Sequence, residues 1–206
     1  MRRMEDRMQR AVIDADFFIK LTENAFDNGK LFCHIMEDLK VHPIMHKYVA
    51  TVELKRSKAL NELVAQGKIE IIDYDEYIDR KDDDEYQEYF RWAYEKMNQF
   101  DFPENADIYT YHDIDENLGE IRSIYLAKQL KCMYFMTDDS GARSFVKNAF
   151  SSKRKVVAVS IYEALKQCCL QKTTITLKQI NPVLHVVFRN RQHMLKELQA
   201  MYAAKE

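Results

Sequence analysis

Met133-Tyr134-Phe135-Met136-Thr137-Asp138-Asp139-Ser140-Gly141-Ala142-Arg143 passes from an apolar run into a pair of acids and then into a helix start. Near the other end of the chain, Ala11-Val12-Ile13-Asp14-Ala15-Asp16 makes the same transition. Short unbroken apolar runs of this kind read as strands buried on both faces, the habit of parallel sheets. Ligands of open α/β sheets gather just beyond the carboxyl ends of such strands. The two runs, as neighbouring parallel strands, would bring Asp14, Asp138 and Asp139 together. Two more acids stand at suggestive places, Glu53 in Val52-Glu53-Leu54-Lys55-Arg56-Ser57 and Glu120 just after Gly119. Taken singly, an acid in a first helical turn is an ordinary dipole-stabilising residue, so the weight lies on the set.

Length and composition set the frame. The 206 residues suit one domain spanning 1–206 with an elaboration, large enough to bury a core. Lys and Arg total 31 against 33 Asp and Glu, a net charge of −2, so there is no global attraction to nucleic acid and any polyanion must meet a local basic patch. Met1-Arg2-Arg3-Met4-Glu5-Asp6 lacks the apolar core of a signal peptide, and no run approaches the ~20 apolar residues of a membrane span. The expectation is a soluble cytoplasmic protein with no membrane association. Cys33, Cys132, Cys168 and Cys169 show no CxxC spacing and read as reduced packing residues. His42 and His46 lack the paired thiolates of a zinc site.

Strand patterns alternate with helical ones along the chain. The first strand, 11–16, leads to a helix over about 17–27 that stops at Asn28-Gly29, and a second helix covers about 30–40. Residues 46–51 read as a short strand, 52–65 as a helix carrying Glu53, and 68–72 as another strand. Residues 74–117 differ in composition. Tyr74, Tyr77, Tyr86, Tyr89, Trp92 and Tyr94 are interleaved there with Asp79, Asp82, Asp83, Asp84, Glu85 and Glu88. The pattern predicts an inserted helical cap or dimer surface, with Tyr86, Tyr89 and Trp92 serving either core packing or partner capture. The acids argue against a stacking surface for bases, because they would repel phosphate. In Gly119–Leu130, Ile121, Ile124, Ala127 and Leu130 form a core-facing stripe.

The ordered set resembles the PIN-domain nucleases: Asp14 after a first strand, Glu53 in a helix after the second, Gly119-Glu120 opening a helix, and Thr137-Asp138-Asp139-Ser140-Gly141-Ala142-Arg143 after a later strand. Val156–Ser160, Asn181-Pro182-Val183-Leu184 and the helix from Met194 to Met201 are similar to the end and helical tail of a bacterial and archaeal branch that includes VapC-type toxins. The resemblance implies a three-layer α/β/α fold around a mainly parallel sheet of about five strands. A helical insertion at about 74–117 and a helical extension at about 172–206 would complete it. It implies a metal-dependent endoribonuclease of single-stranded RNA, possible toxin of a toxin–antitoxin pair, and a homodimer.

The implied chemistry fits the residue types. Phosphodiester hydrolysis needs a nucleophile beside a polyanion and relief of charge on the leaving oxygen, which Mg²⁺ or Mn²⁺ supplies, and hard cations of this kind take carboxylate oxygens. By resemblance Asp14, Glu120 and Asp138 form the inner set, Glu53 binds a second ion or orients water, and Asp139 and Asp16 are auxiliaries. Crowded carboxylates raise one another's pKa. Arg143 is the first candidate for gripping substrate phosphate, with Lys147, Arg56 and Lys20 beside it; Lys153-Arg154-Lys155 adds charge before the last strand. Two alternatives stay open. Asp14-Ala15-Asp16 is similar to the opening of haloacid-dehalogenase-like phosphatases, although Phe18 replaces their Thr or Val. A PIN-like module could also bind RNA or protein without cutting.

Overall fold

In the computed structural model, which describes residues 8–23, 29–73, 83–113, 116–149, 156–171 and 173–205, β1 (Gln9–Ile13), β2 (Val41–His46), β3 (Glu70–Ile72), β4 (Tyr134–Met136) and β5 (Val157–Val159) form one sheet. Every pairing is parallel and the order is β3-β2-β1-β4-β5. The apolar runs that opened the sequence are therefore neighbours, with Ile13 opposite Met136. The ladder continues one residue further, as Asp14 N donates to Met136 O at 3.0 Å. Strand order reverses between β1 and β4, which is the switch point where ligands of such sheets bind.

Helices cover both faces, giving three α/β/α layers. On one side α1 (Ala15–Thr22), α2 (Lys30–Asp38), α3 (Lys58–Ala65), α7 (Ile161–Leu170), α8 (Leu177–Val187) and α9 (Gln192–Ala203) pack on Ala11, Ile13, Met45 and Met136. On the other, α4 (Asp83–Asn98), α5 (Leu118–Gln129) and α6 (Ser140–Ala149) pack on Val12, Ile44 and Phe135. The alternation of Ala11, Val12 and Ile13 between two cores is the strand period of two at work, and each fully buried Ile, Leu or Phe contributes about 1.5–3 kcal/mol of transfer free energy. Pro43 is tolerated in an interior strand because β3 joins β2 only from Ile44 onward.

Several boundaries differ from the sequence pattern. Residues 46–51 are not a strand: β2 ends at His46, and Val49–Glu53 form a π-helical turn. Glu53 closes that turn instead of opening a helix, and α3 begins only at Lys58, after Ser57, whose Oγ accepts from Leu60 N at 3.2 Å. Gly29 starts α2 rather than ending α1; its φ of 80° and a Leu63 side chain 2.9 Å from the Cβ position favour glycine there. Asn28 lies outside the described residues, as do Tyr74, Tyr77, Asp79, Asp82 and Lys153-Arg154-Lys155.

Where it is described, the insertion packs one face into the core. Tyr86, Tyr89, Phe90 and Tyr94 of α4 are buried against α5 and the sheet, and residues 99–113 contribute Phe102 and Ile108 to the same core. Partner capture by Tyr86 and Tyr89 is excluded by this burial, whereas Trp92 remains 41% exposed. All four cysteines are free thiols, and burial pushes Cys132 up to about 11 and Cys168 to about 12. No helix among the described residues is long and apolar enough to cross a membrane.

Candidate active site

Asp14 follows β1 and holds the N-cap position of α1, yet its side chain makes no capping hydrogen bond. An Asp at this position ordinarily contributes about 1 kcal/mol by capping. Here the carboxylate turns inward instead, fully buried, with Oδ2 accepting from Thr137 Oγ1 at 2.8 Å. Its other oxygen, Oδ1, is buried without a hydrogen-bond partner among the described residues. Burial, and then the charges of Glu120 and Glu53, push the Asp14 carboxyl well above the ordinary range, against the opposing bonds from Thr137 and Ala15.

Glu53 and Glu120 reach this point from different elements. The carboxylate of Glu53 lies on Gly119, where a Cβ would stand 1.9 Å from Glu53 Oε1, so only glycine permits the approach. Glu53 as a whole residue is exposed, but its carboxyl end lies against the start of α5. Burial there, with Glu120 beside it, raises the carboxyl to about 7. Glu120 is pushed up by burial and by Asp139 and Asp16, against an opposing backbone hydrogen bond.

The acids that end β4 have separate tasks. Asp138 Oδ2 accepts from Lys20 Nζ at 3.1 Å and lies 3.7 Å from Arg191 Nη1, while Asp138 Oδ1 is buried without a partner among the described residues. Asp139 caps α6: Oδ1 accepts from Ala142 N at 2.6 Å, and Asp139 N donates to Thr137 Oγ1. Lys20 joins the two strand ends, since its ammonium also reaches Asp16 Oδ2 at 2.7 Å. Burial pulls Lys20 down, but the Asp16 and Asp138 carboxylates outweigh it and its pKa is raised.

The other predicted cations stand further out. Arg143 Nε donates to the Asp139 carbonyl at 3.3 Å, which holds its guanidinium along the first turn of α6. Lys147 is exposed in the last turn of α6, and Arg56 is exposed in the turn before Ser57. The described ion pairs of the centre are made by Lys20 and Arg191 instead. Sequence reasoning missed Arg191, the residue preceding α9, because the tail shows no periodicity or motif that points back to β4. It also missed the task of Thr137, although a hydroxyl between two strand-end acids was a usable signal. His46 is structural: buried, accepting from Tyr48 N at Nδ1, and held down to about 3 by burial and by Arg122.

Among the described residues no three His, Cys, Asp or Glu are already gathered as a metal-holding group. The donors nevertheless fit a hard divalent cation. They are all carboxylate oxygens, two of them buried and unpaired, and their mutual repulsion is the kind that a cation relieves. The residues that could hold one are Asp14, Asp138 and Glu120, with Glu53 and Asp16 around them, whereas one oxygen of Asp139 is committed to its helix cap. Comparison of the chain with protein-family models, with curated proteins and with solved structures finds no match.

Proposed function

We propose that the chain is a divalent-metal-dependent endoribonuclease acting on single-stranded RNA, with Asp14, Asp138 and Glu120 holding Mg²⁺ or Mn²⁺. The observation that carries this reading is the arrangement at the switch point. A buried N-cap aspartate declines its cap and faces Glu53 and Glu120, beside a second strand-end aspartate with an unpaired oxygen. Burying charge without a partner costs several kcal/mol, and a core that merely needed to pack would not assemble such a set.

When bound, the cation supplies relief of charge at the scissile phosphate and a lowered pKa for water. The protein's own residues supply the rest. Thr137 fixes the Asp14 carboxylate by its 2.8 Å hydrogen bond. Glu53, whose carboxylate reaches Gly119 at the start of α5, would orient the attacking water and accept its proton. Lys20 and Arg191 hold Asp138 from one side and place positive charge where a substrate phosphate would arrive. Arg143 adds a guanidinium from α6.

The test is incubation of a mixed single-stranded RNA pool with and without Mn²⁺, beside Asp14→Asn and Glu120→Gln. Cleavage that requires Mn²⁺ and disappears in both variants is expected. Phosphate release from a small phosphomonoester, lost in Asp14→Asn but unchanged in Glu120→Gln, would replace the nuclease with a phosphatase.

A further inference from the structure

A cavity of about 420 Å³ lies between α4 and α6, outside the carboxylate set. Trp92, Lys96 and Gln99 line it from the α4 side, and Ser144, Phe145 and Asn148 from α6. Asn117 and Gly141 also line it, and they tie it to the acids. Asn117 is the N-cap of α5, three residues before Glu120. Gly141 stands where a Cβ would lie 3.1 Å from Asp139 Oδ1.

The lining differs in character from the helix it borders, for among the described residues that line it there is no Asp or Glu. Two of the three first-turn acids of α4 are engaged elsewhere: Asp83 accepts from the Tyr109 hydroxyl and from Gln87, and Glu85 holds Lys128 at 2.8 Å. Glu95 pairs with Lys96 at 3.0 Å on the exposed surface, a contact that solvent largely screens. Asp83 and Glu85, which stand beside the rings in sequence, are thus tied up away from this cavity.

Trp92 is fixed but open. Its ring packs on Phe145 with centroids 5.1 Å apart and on Tyr89 at 6.1 Å, and 41% of the residue is still exposed. A pre-positioned indole loses little entropy when a planar ligand stacks on it. The amides of Gln99 and Asn148 offer both donors and acceptors, the mixed lettering of a base edge, while Asn117 Nδ2 already donates to Asn98 Oδ1 at 2.6 Å.

We propose that this cavity receives a nucleobase of a single-stranded RNA, stacked on Trp92, next to the phosphate held at the carboxylate centre. This assignment rests on the nuclease reading, and it gives the insertion a part in substrate binding.

Trp92 is the chain's one tryptophan, so its emission reports on this site alone. The Glu120→Gln protein in Mn²⁺ is titrated with a short single-stranded oligoribonucleotide, an abasic strand of equal length, and inorganic polyphosphate. Saturable quenching by the first and none by the other two is expected. Trp92→Leu should weaken binding of the labelled strand, followed by anisotropy, about 5- to 30-fold, the lower part of the range for one base–aromatic stack. Asn148→Phe, at an exposed position in the cavity lining, takes up the space of the base and should weaken it comparably. Equal quenching by the abasic strand, or unchanged affinity in Asn148→Phe, overturns the base site. Metal-dependent cleavage by the wild type with a silent Trp92 overturns it while sparing the nuclease reading. Base-dependent quenching without cleavage in any metal supports the base site and sinks the nuclease instead.

Discussion

Gly119→Ala isolates the placement of one carboxylate from the rest of the fold. The new Cβ would meet Glu53 Oε1 at 1.9 Å, and real Cβ contacts stay above 3.0 Å, so the carboxylate must retreat by about 1.1 Å. The atom in the way is the end of a flexible side chain, so the helix itself need not move. Alanine is also about 1 kcal/mol better than glycine in a helix interior, and Gly119 lies in the first turn of α5. The melting temperature should therefore stay within about 4 °C of the wild type. Turnover should not: a displacement of about 1 Å in a catalytic constellation costs on the order of 100-fold. The assay is kcat and KM for Mn²⁺-dependent cleavage of a single-stranded RNA, with the fall expected in kcat. Glu53→Ala should lose a similar amount, and the double variant should lose little more than either alone, as residues acting through one group are not additive. Turnover within twofold of wild type in Gly119→Ala, with the fold intact, would refute the placement of Glu53 in the reacting centre.

Four further expectations follow from the same electrostatics. Asp14, Glu53 and Glu120 all have folded pKa values raised above their unfolded ones; in EDTA their contribution is most favourable below the ordinary carboxylate range and is lost as pH rises to about 7 for Glu53, so melting temperature should fall between pH 5 and pH 8, and a rise would contradict the repulsion. Mn²⁺ should reverse that loss at pH 8, by about 2.7 kcal/mol at a hundredfold excess over Kd, which a melt with and without the ion measures. Asp14→Asn keeps an acceptor for Thr137 and removes a buried charge, so the metal-free protein should gain about 0.5–2 kcal/mol in urea unfolding while losing activity; a less stable variant would mean that the charge is compensated as it stands. Arg191→Ala should weaken RNA binding and lower the salt slope by about one, read by anisotropy from 50 to 200 mM salt, and an unchanged slope would restrict Arg191 to holding Asp138.

The parallel sheet was legible because Ala11-Val12-Ile13 and Tyr134-Phe135-Met136 are unbroken apolar runs that only a doubly covered strand needs. Asp14 and Asp138 came with it, being simply the next residues. Glu53 was harder to place, since a π-helical turn has no apolar period of its own and 52–57 reads as helix once α3 is extended backward. In the acidic–aromatic segment the helix was legible, but the direction of its rings was not. Sequence shows the acids beside the rings, but the helix turns Tyr86, Tyr89 and Tyr94 inward, gathers Asp83–Glu85 at its first turn and leaves Trp92 by the cavity. Arg191 was invisible, because its meaning depends on α8 and α9 folding back toward Asp138.

Equilibrium binding of Mn²⁺, followed by the paramagnetic resonance of the free ion at pH 7.5, tests the carboxylate centre without reference to any substrate. Saturable binding by the wild type is expected, lost or strongly weakened in folded Asp14→Asn and weakened in Glu120→Gln. No binding by the wild type at millimolar Mn²⁺, or equal binding by folded Asp14→Asn, would contradict it.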